Sequence, residues 1–262
     1  MSPEESTPPN AASPFRPGSN QAGIVWVGGV RGMGKSTLVR HLASKAPRML
    51  AHDPHGEHDG LPLSDHEAAE YLEGLAARSQ LDRFRVCVTV TEPERFARLA
   101  WALRELCPDY LLLVDEVDLV APPMREPWAF RRIVAQGRHH GISVLAASRR
   151  PAEVSRLVTS QAREFYCFFT REPGDVRYLA SIFGEDADAL DSLAPFEFLY
   201  WSPTRSARGH VSPQGITWQK AAPRDRIVSP SVAAPGAGGG GRPESETIVP
   251  SRPPSATPPE TE

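Results

Sequence analysis

The sequence predicts an α/β fold built on a doubly wound, mostly parallel β-sheet. Strand-like and helix-like patterns alternate between residues 21 and 205, which is typical of parallel strands joined by helices. The continuous apolar run at 110–114 indicates a parallel strand that is buried on both faces. A glycine-rich stretch, 28–37, lies between the first predicted strand and the first predicted helix. Together these patterns predict one domain with its ligand site at the carboxyl ends of the strands.

The composition divides the chain into an N-terminal segment, 1–20, an ordered domain, 21–205, and a C-terminal tail, 206–262. The first segment is rich in Pro, Ser and Asn, and the tail is rich in Pro and Gly, with consecutive glycines at 238–241. Segments of this kind cannot bury enough apolar surface to offset the entropy lost on ordering. We therefore expect both ends of the chain to be disordered.

Strands are predicted from short apolar or β-branched runs that are bounded by turn residues or by helical patterns. They cover 24–27, 48–52, 83–90, 110–114, 142–148, 164–169 and 196–201. The second strand ends in a turn, for which Asp53 and Pro54 supply the chemistry and Gly56 the capacity for a positive φ.

Helices are predicted where apolar residues recur at three- and four-residue spacing. They cover 35–45, 64–77, 93–106, 128–140, 154–162, 176–183 and 187–193. Ser64 and Glu67 form a capping box at the start of the second helix. Gly141 ends the fourth helix. Pro151 follows the next predicted strand and breaks the regular structure there.

Charge and cysteine content exclude several classes of protein. The net charge of −3 differs from that of a stand-alone basic nucleic-acid binder, so any nucleic-acid contact must come from a local patch or an assembled ring. Cys87, Cys107 and Cys167 show no metal-binding spacing and indicate buried thiols in a reducing compartment. Neither a membrane span nor a signal peptide is recognisable, and we expect a cytoplasmic location.

The stretch 29–36 matches G-x-x-x-x-G-K-[ST] and predicts a phosphate-binding loop. Its glycines let backbone N–H groups point inward at phosphates, Lys35 reaches the β- and γ-phosphate oxygens, and the Ser36 hydroxyl binds Mg²⁺. The following helix adds its N-terminal dipole. ATP and Mg²⁺ are therefore the expected cofactors, bound on a P-loop NTPase core of the RecA/ASCE type. The predicted nucleotide-binding residues are Gly29, Val30, Arg31, Gly32, Met33, Gly34, Lys35, Ser36 and Thr37.

Asp115 and Glu116 end the apolar run at 110–114 and are the candidate acids of the nucleotide site. A P-loop needs a second acid for Mg²⁺, usually an Asp at the end of an apolar strand, and Asp115 meets that description. Glu116 can orient or deprotonate the water that attacks the γ-phosphorus. The alternative is that the two acids only cap the strand and begin a loop.

Two interpretations of Asp53 remain open from the sequence. Its carboxylate either orients the P-loop or a Mg²⁺-bound water, or simply initiates the turn. Histidines at 52, 55 and 58 surround it, superficially like a metal cluster. A loop gives that spacing no fixed geometry and no cysteine accompanies it, so a zinc site is the weaker alternative.

The stretch 136–151 supplies two candidate catalytic arginines. Arg138 ends a predicted helix and is either an arginine finger presented to a neighbouring subunit's nucleotide or a cation favoured by the helix dipole. Arg149 follows Ser148 at the tip of a predicted strand, where a polar group can sense the γ-phosphate.

The order of these motifs resembles the HerA/FtsK superfamily of ring-forming P-loop ATPases. After the glycine-rich loop come Asp-Pro-His-Gly-Glu at 53–57, Leu-Val-Asp-Glu at 113–116, Gly-Arg-His-His-Gly-Ile at 137–142 and Ser-Arg-Arg-Pro at 148–151. The blocks at 53–57 and 137–142 distinguish this superfamily best from other P-loop proteins, because a P-loop alone occurs in many families. The segment 195–201 is similar to the final strand of that core, so the resemblance covers essentially the whole predicted domain.

The resemblance implies a hexameric motor that moves double-stranded DNA, or occasionally protein, through a central channel. Many members have Thr-Gln-Arg-Pro where this chain has Ser-Arg-Arg-Pro, so Arg149 replaces a sensor glutamine. By this resemblance, Lys35 would bind the nucleotide, and Ser36 and Asp115 would bind the metal. Glu116 would act as the base, and Arg138 would match the trans-acting arginine of the family.

The function expected from the resemblance is a Mg²⁺-dependent ATPase that translocates double-stranded DNA to package a viral genome, in the host cytoplasm or the virion. Such a motor would dock on a capsid vertex or a membrane-associated assembly. One alternative is a conjugation or plasmid-mobilisation ATPase. The other is a phage-assembly ATPase of the zonula-occludens-toxin type, which acts on protein but usually carries a transmembrane segment.

Overall fold

The computed structural model describes residues 22–219, in which a ten-stranded sheet carries helices on both faces. The predicted disorder of 1–20 and of 220–262 lies outside the described residues. The strands are β1 (Ile24–Gly28), β2 (Arg48–His52), β3 (Leu61–Ser64), β4 (Phe84–Val90), β5 (Leu111–Val114), β6 (Ser143–Ser148), β7 (Ala162–Phe168), β8 (Glu197–Ser202), β9 (Arg205–Ser212) and β10 (Gly215–Trp218). The α-helices are α1 (Lys35–Ala43), α2 (Asp65–Ala77), α3 (Pro93–Leu106), α4 (Val117–Val120), α5 (Trp128–Gln136), α6 (Arg156–Gln161) and α7 (Pro173–Phe183), with 3₁₀ turns at Gly137–His140, Pro151–Glu153 and Gly184–Ser192.

The strand order is β10-β9-β8-β7-β1-β6-β5-β2-β4-β3. From β7 to β3 every neighbouring pair is parallel, whereas β8, β9 and β10 continue the sheet as an antiparallel extension. The prediction of a doubly wound, mostly parallel α/β sheet is therefore confirmed.

The two faces of the sheet bury separate hydrophobic clusters. The larger cluster packs α2, α3, α5 and α7 against one face and includes the fully buried rings of Trp26, Phe96 and Phe130. The smaller cluster covers the other face with α1, through Leu38, Val39 and Leu42. Within residues 22–219 no helix combines the length and the apolar character that a membrane span needs.

The predicted domain boundary at residue 205 is wrong, because residues 206–218 continue the sheet as β9 and β10. Val211 is fully buried in the α1 cluster, and Trp218 packs edge-on against Phe198 with ring centroids 5.4 Å apart. Polar residues dominate this stretch, but its few apolar side chains are enough to cover one side of α1. The short elements β3 and α4 were also not predicted.

The nucleotide motifs meet because four parallel strands end at the same edge of the sheet. Strands β1, β2, β5 and β6 end at Gly28, His52, Val114 and Ser148. The indole Nε1–H of Trp26 donates to Ser148 Oγ at 3.2 Å and ties β1 to β6 close to this edge. Residues that follow these strands therefore converge on one cleft, as is usual for open parallel sheets.

Candidate functional site

A cleft of about 790 Å³ lies at the carboxyl edge of the sheet. Asp115, Glu116 and Arg149 line it, so residues distant in the sequence meet the glycine-rich loop as predicted from their positions at strand ends. The loop residues that line it are Arg31, Gly32, Gly34, Lys35, Ser36 and Thr37.

The other predicted loop residues hold the loop in place without lining the cleft. Gly29 has φ +136°, and a Cβ there would come within 2.7 Å of the Phe168 Cβ. Val30 N–H donates to the Phe169 carbonyl at 3.1 Å, and Met33 accepts a hydrogen bond from Phe196 N–H at 2.9 Å. The loop is therefore anchored to the end of β7 and to the start of β8.

Lys35 points into the curve of the loop. Its Nζ donates to the Val30 carbonyl at 3.0 Å. Burial lowers the pKa of Lys35, and the negative charge of Asp115 opposes that shift. Gly34, immediately before it, has φ +106°, a conformation that only glycine adopts without strain. The amine is therefore held against the backbone of the loop, at the wall of the cleft.

Asp115 is fixed at both its backbone and its carboxylate. Its N–H donates to the His52 carbonyl at 3.1 Å, and His52 Nδ1 donates to the Asp115 carbonyl at 2.8 Å. Its carboxylate accepts from His58 Nε2 at 2.9 Å and from the Glu116 N–H at 3.0 Å. Burial opposes ionisation, but the hydrogen bond and positive field of His58 hold the pKa of Asp115 below its usual value. The group is therefore an anion at neutral pH.

Both carboxylate oxygens of Glu116 have a partner. Oε1 accepts from Arg149 Nη2 at 2.7 Å, and Oε2 lies 3.1 Å from His55 Nε2. The backbone of Glu116 has φ +51°, which is strained for a residue with a side chain and turns the carboxylate toward the cleft. A carboxylate held in this way can accept a hydrogen bond from a water beside the γ-phosphate.

The residues at this edge fit a Mg²⁺ ion. Ser36 and Asp115 line the same cleft as Lys35, and both offer the hard oxygen ligands that Mg²⁺ prefers. When bound, the ion would supply positive charge that offsets the negative charge developing on the phosphoryl group. Ser36 and Asp115 would hold it.

The geometry favours the turn interpretation of Asp53. Its carboxylate is fully buried and accepts backbone N–H groups from Glu57 at 2.9 Å and from His58 at 3.0 Å. The neighbouring histidines do not converge on one point: His52 and His58 hydrogen-bond different atoms of Asp115, and His55 contacts Glu116. The histidines at 52, 55 and 58 therefore do not form a common zinc site.

Arg138 lies at the opposite edge of the sheet. It lines a separate cavity of about 290 Å³ together with Arg163 and with residues at the amino ends of β1 and β6. From Ser143 to Ser148, β6 spans about 17 Å at about 3.3 Å per residue. The Arg138 side chain therefore does not reach the cleft of its own chain.

Sequence reasoning gave no nucleotide-site role to three residues that lie in the cleft or beside it. His55 and His58 were weighed as individual side chains only for a zinc site, yet each contacts one of the two acids. Phe196 lines the cleft with 40% of its surface exposed. The local signal for Phe196 was no more than an aromatic residue at the start of the last predicted strand.

Comparisons with known proteins find one relative in sequence and several solved structures with a similar fold. The chain is 23% identical over 182 residues to Protein P9 of Pseudoalteromonas phage PM2, covering 66% of this chain and 82% of that protein. Its fold is similar to the genome packaging NTPase B204 from Sulfolobus turreted icosahedral virus 2 in complex with ATPγS, with a TM-score of 0.58 and 20% identity over 76% of this chain and 97% of the other. It is also similar to VirB4 of Thermoanaerobacter pseudethanolicus, with a TM-score of 0.54 and 12% identity over 75% of this chain and 91% of the other.

No family model matches the chain. The chain shares its fold with the genome packaging NTPase B204 and with VirB4, which is consistent with the resemblance of its motifs to HerA/FtsK-type P-loop ATPases.

Proposed function

We propose that this chain is a Mg²⁺-dependent ATPase that translocates double-stranded DNA during the packaging of a viral genome. The observation that carries the proposal is the meeting of Lys35, Ser36, Asp115 and Glu116 in one cleft at the carboxyl edge of the sheet. Together these side chains supply a phosphate-binding amine, two metal ligands and a water-orienting carboxylate. The similarity to a phage protein and to a viral packaging NTPase supports the DNA-packaging part of the proposal.

In this mechanism the chain supplies position and charge. The loop and Lys35 bind the β- and γ-phosphates, Asp115 and Ser36 hold the metal, and Glu116 orients the attacking water. Arg149, which pairs with Glu116 just beyond β6, senses the γ-phosphate of the bound nucleotide. Arg138 acts on the nucleotide of the next subunit in a homo-oligomeric ring, most simply a hexamer.

The direct test combines ATP hydrolysis with strand displacement. The full chain is incubated with ATP, Mg²⁺ and linear double-stranded DNA that carries a third strand as a triplex. A motor hydrolyses ATP faster when DNA is present and displaces the third strand. The Lys35→Ala variant should do neither. If the wild-type chain hydrolyses ATP at the same rate with and without DNA and displaces no third strand, the translocation proposal is overturned.

The second candidate is a conjugation ATPase, which the shared fold with VirB4 favours. Both candidates predict nucleotide hydrolysis, so the DNA substrate separates them. A packaging motor needs a free duplex end and is stimulated by linear double-stranded DNA. Stimulation by single-stranded DNA alone would favour the conjugation candidate.

A further inference from the structure

The turn between β2 and β3 is organised by a buried carboxylate. Asp53 uses one oxygen to accept the N–H of Glu57 and the other to accept the N–H of His58, at 2.9 and 3.0 Å. The His58 carbonyl in turn accepts from the Cys87 thiol at 3.7 Å, beneath the turn. These contacts fix the backbone of His58 independently of its side chain.

The His58 ring uses only one of its nitrogens within residues 22–219. Its side chain is 1% exposed, and Nε2 lies 2.9 Å from Asp115 Oδ2. Nε2 is the donor because an ionised carboxylate can only accept. Nδ1 is buried and has no hydrogen-bond partner among the described residues. A buried, unsatisfied nitrogen destabilises the fold, so stability alone does not account for a histidine at this position.

We propose that His58 is a positioning residue, which holds Asp115 Oδ2 so that the carboxylate faces the Mg²⁺ of a bound nucleotide. Asp53 sets His58 in place, and His52 restrains the Asp115 backbone from the other side. The inference rests on the proposed function, since it assigns a role in the same site. Partners that hydrogen-bond a metal-ligating carboxylate orient it, and losing one costs about 10- to 100-fold in metal affinity.

A directly bound metal is the competing interpretation of the same geometry. One ligand atom each from Asp53, His58 and Asp115 lie within 4.8 Å of one another. However, both oxygens of Asp53 already accept backbone N–H groups, and His58 Nε2 already donates to Asp115. A metal ion would have to break these bonds, so we favour the positioning role.

The test measures Mg²⁺-dependent nucleotide binding by the full chain, using fluorescent N-methylanthraniloyl-ATP with Mg²⁺ titrated from zero. His58→Leu removes the donor at similar volume, and we expect it to raise the half-saturating Mg²⁺ concentration roughly 10- to 100-fold. Binding without Mg²⁺ should not change. His58→Gln places an amide N–H near the position of Nε2 and should stay within about twofold of wild type, whereas the shorter His58→Asn should not. The matched control is His66→Leu, because the His66 side chain is 80% exposed and pairs with Glu70, which is itself 69% exposed.

Each result decides between the interpretations. Unchanged Mg²⁺ half-saturation in His58→Leu, or an equal loss in His58→Gln and His58→Leu, would overturn the positioning role. Tight binding of Mn²⁺ alone that His58→Leu abolishes would also overturn it, because His58 would then be a ligand. A wild-type chain whose nucleotide affinity ignores Mg²⁺ would instead overturn the proposed function, and the inference with it.

Discussion

The charged side chains at the two edges of the sheet differ in whether they are paired with other groups of the chain. At the carboxyl edge Lys35, Asp115, Glu116 and Arg149 each have a partner in the same chain, at 2.7 to 3.0 Å. At the amino edge Arg138 lines a small cavity with Arg163, and neither forms an ion pair within residues 22–219. One edge is thus an assembled network, whereas the other presents exposed arginines that form no ion pair with the described residues.

In the proposed ring, this difference corresponds to an ATPase site that is divided between subunits. Phosphate binding needs several groups at short range, so one chain builds that half of the site alone. An exposed arginine can remain unpaired in water at little cost, and it becomes effective only when a neighbour brings an anion to it. Variants at the two edges test this division.

The largest effect is expected for Lys35→Ala at the assembled edge. Removing the amine takes away the positive charge that meets the β- and γ-phosphates, and ATP turnover should fall by at least about 10³-fold. The measurement is steady-state phosphate release at saturating Mg²⁺. Lys45→Ala is the matched control, because Lys45 is exposed just beyond α1. Turnover at the wild-type rate in Lys35→Ala would mean that the nucleotide binds elsewhere.

The assembled edge was also the part of the site that the sequence predicted best. Residues 29–36 form a local motif because backbone N–H groups that bind a phosphate must be consecutive. Asp115 and Glu116 were recognisable since a buried parallel strand must end in polar residues at its ligand edge. The contact of Glu116 with Arg149 spans 33 positions and depends on β5 lying next to β6, which no local pattern specifies.

The next largest effect is expected for Arg138→Ala at the opposite edge. With every subunit altered, turnover should fall by about 10³-fold, as for other trans-acting arginines. Nucleotide affinity should change little, since Arg138 lies outside the cleft of its own chain. Arg131→Ala is the control, because Arg131 is an exposed arginine on α5, the helix that precedes the 3₁₀ turn of Arg138.

Mixing two inactive variants distinguishes a trans role from a cis role. Lys35→Ala subunits still offer Arg138, and Arg138→Ala subunits still have an intact cleft. In rings assembled from equal amounts of both, about a quarter of the interfaces join an intact cleft to an intact arginine. Recovered turnover would support the shared site. No recovery, in rings shown to contain both variants, would contradict it.

Glu116→Gln should have an intermediate effect, because it keeps the shape of the side chain and removes its charge. ATP should bind as in the wild type, while hydrolysis should slow by about 10²-fold, the typical contribution of a positioned base. Single-turnover kinetics separate the two steps. Glu70→Gln is the control, since the Glu70 side chain is 69% exposed. Fast hydrolysis in Glu116→Gln would move the base role to another residue.

The antiparallel extension shows where the sequence prediction failed, and why. Strands β9 and β10 contain few apolar residues, and their burial depends on α1 and on the rings of β8 rather than on their own pattern. The segment that leads into β8 brings Phe196 to the cleft, where its N–H donates to the Met33 carbonyl. Neither outcome follows from local sequence, because both require the position of β8 beside β7.

The smallest effect is expected for Phe196→Ala, at the point where the extension meets the cleft. The Phe196 ring lies against the loop, close enough that a Cβ on Gly34 would come within 2.8 Å of its Cδ1. An exposed ring at the rim of a triphosphate site can stack on the adenine base, and such stacking contributes about 1 kcal/mol or slightly more. ATP should therefore bind about tenfold more weakly, and turnover at saturation should change little. Binding of inorganic triphosphate, which has no base, should be unaffected, and Trp128→Ala controls for the loss of an exposed aromatic ring, since Trp128 is 57% exposed. Equal losses for ATP and triphosphate would show that Phe196 supports the loop through Met33 and does not contact the base.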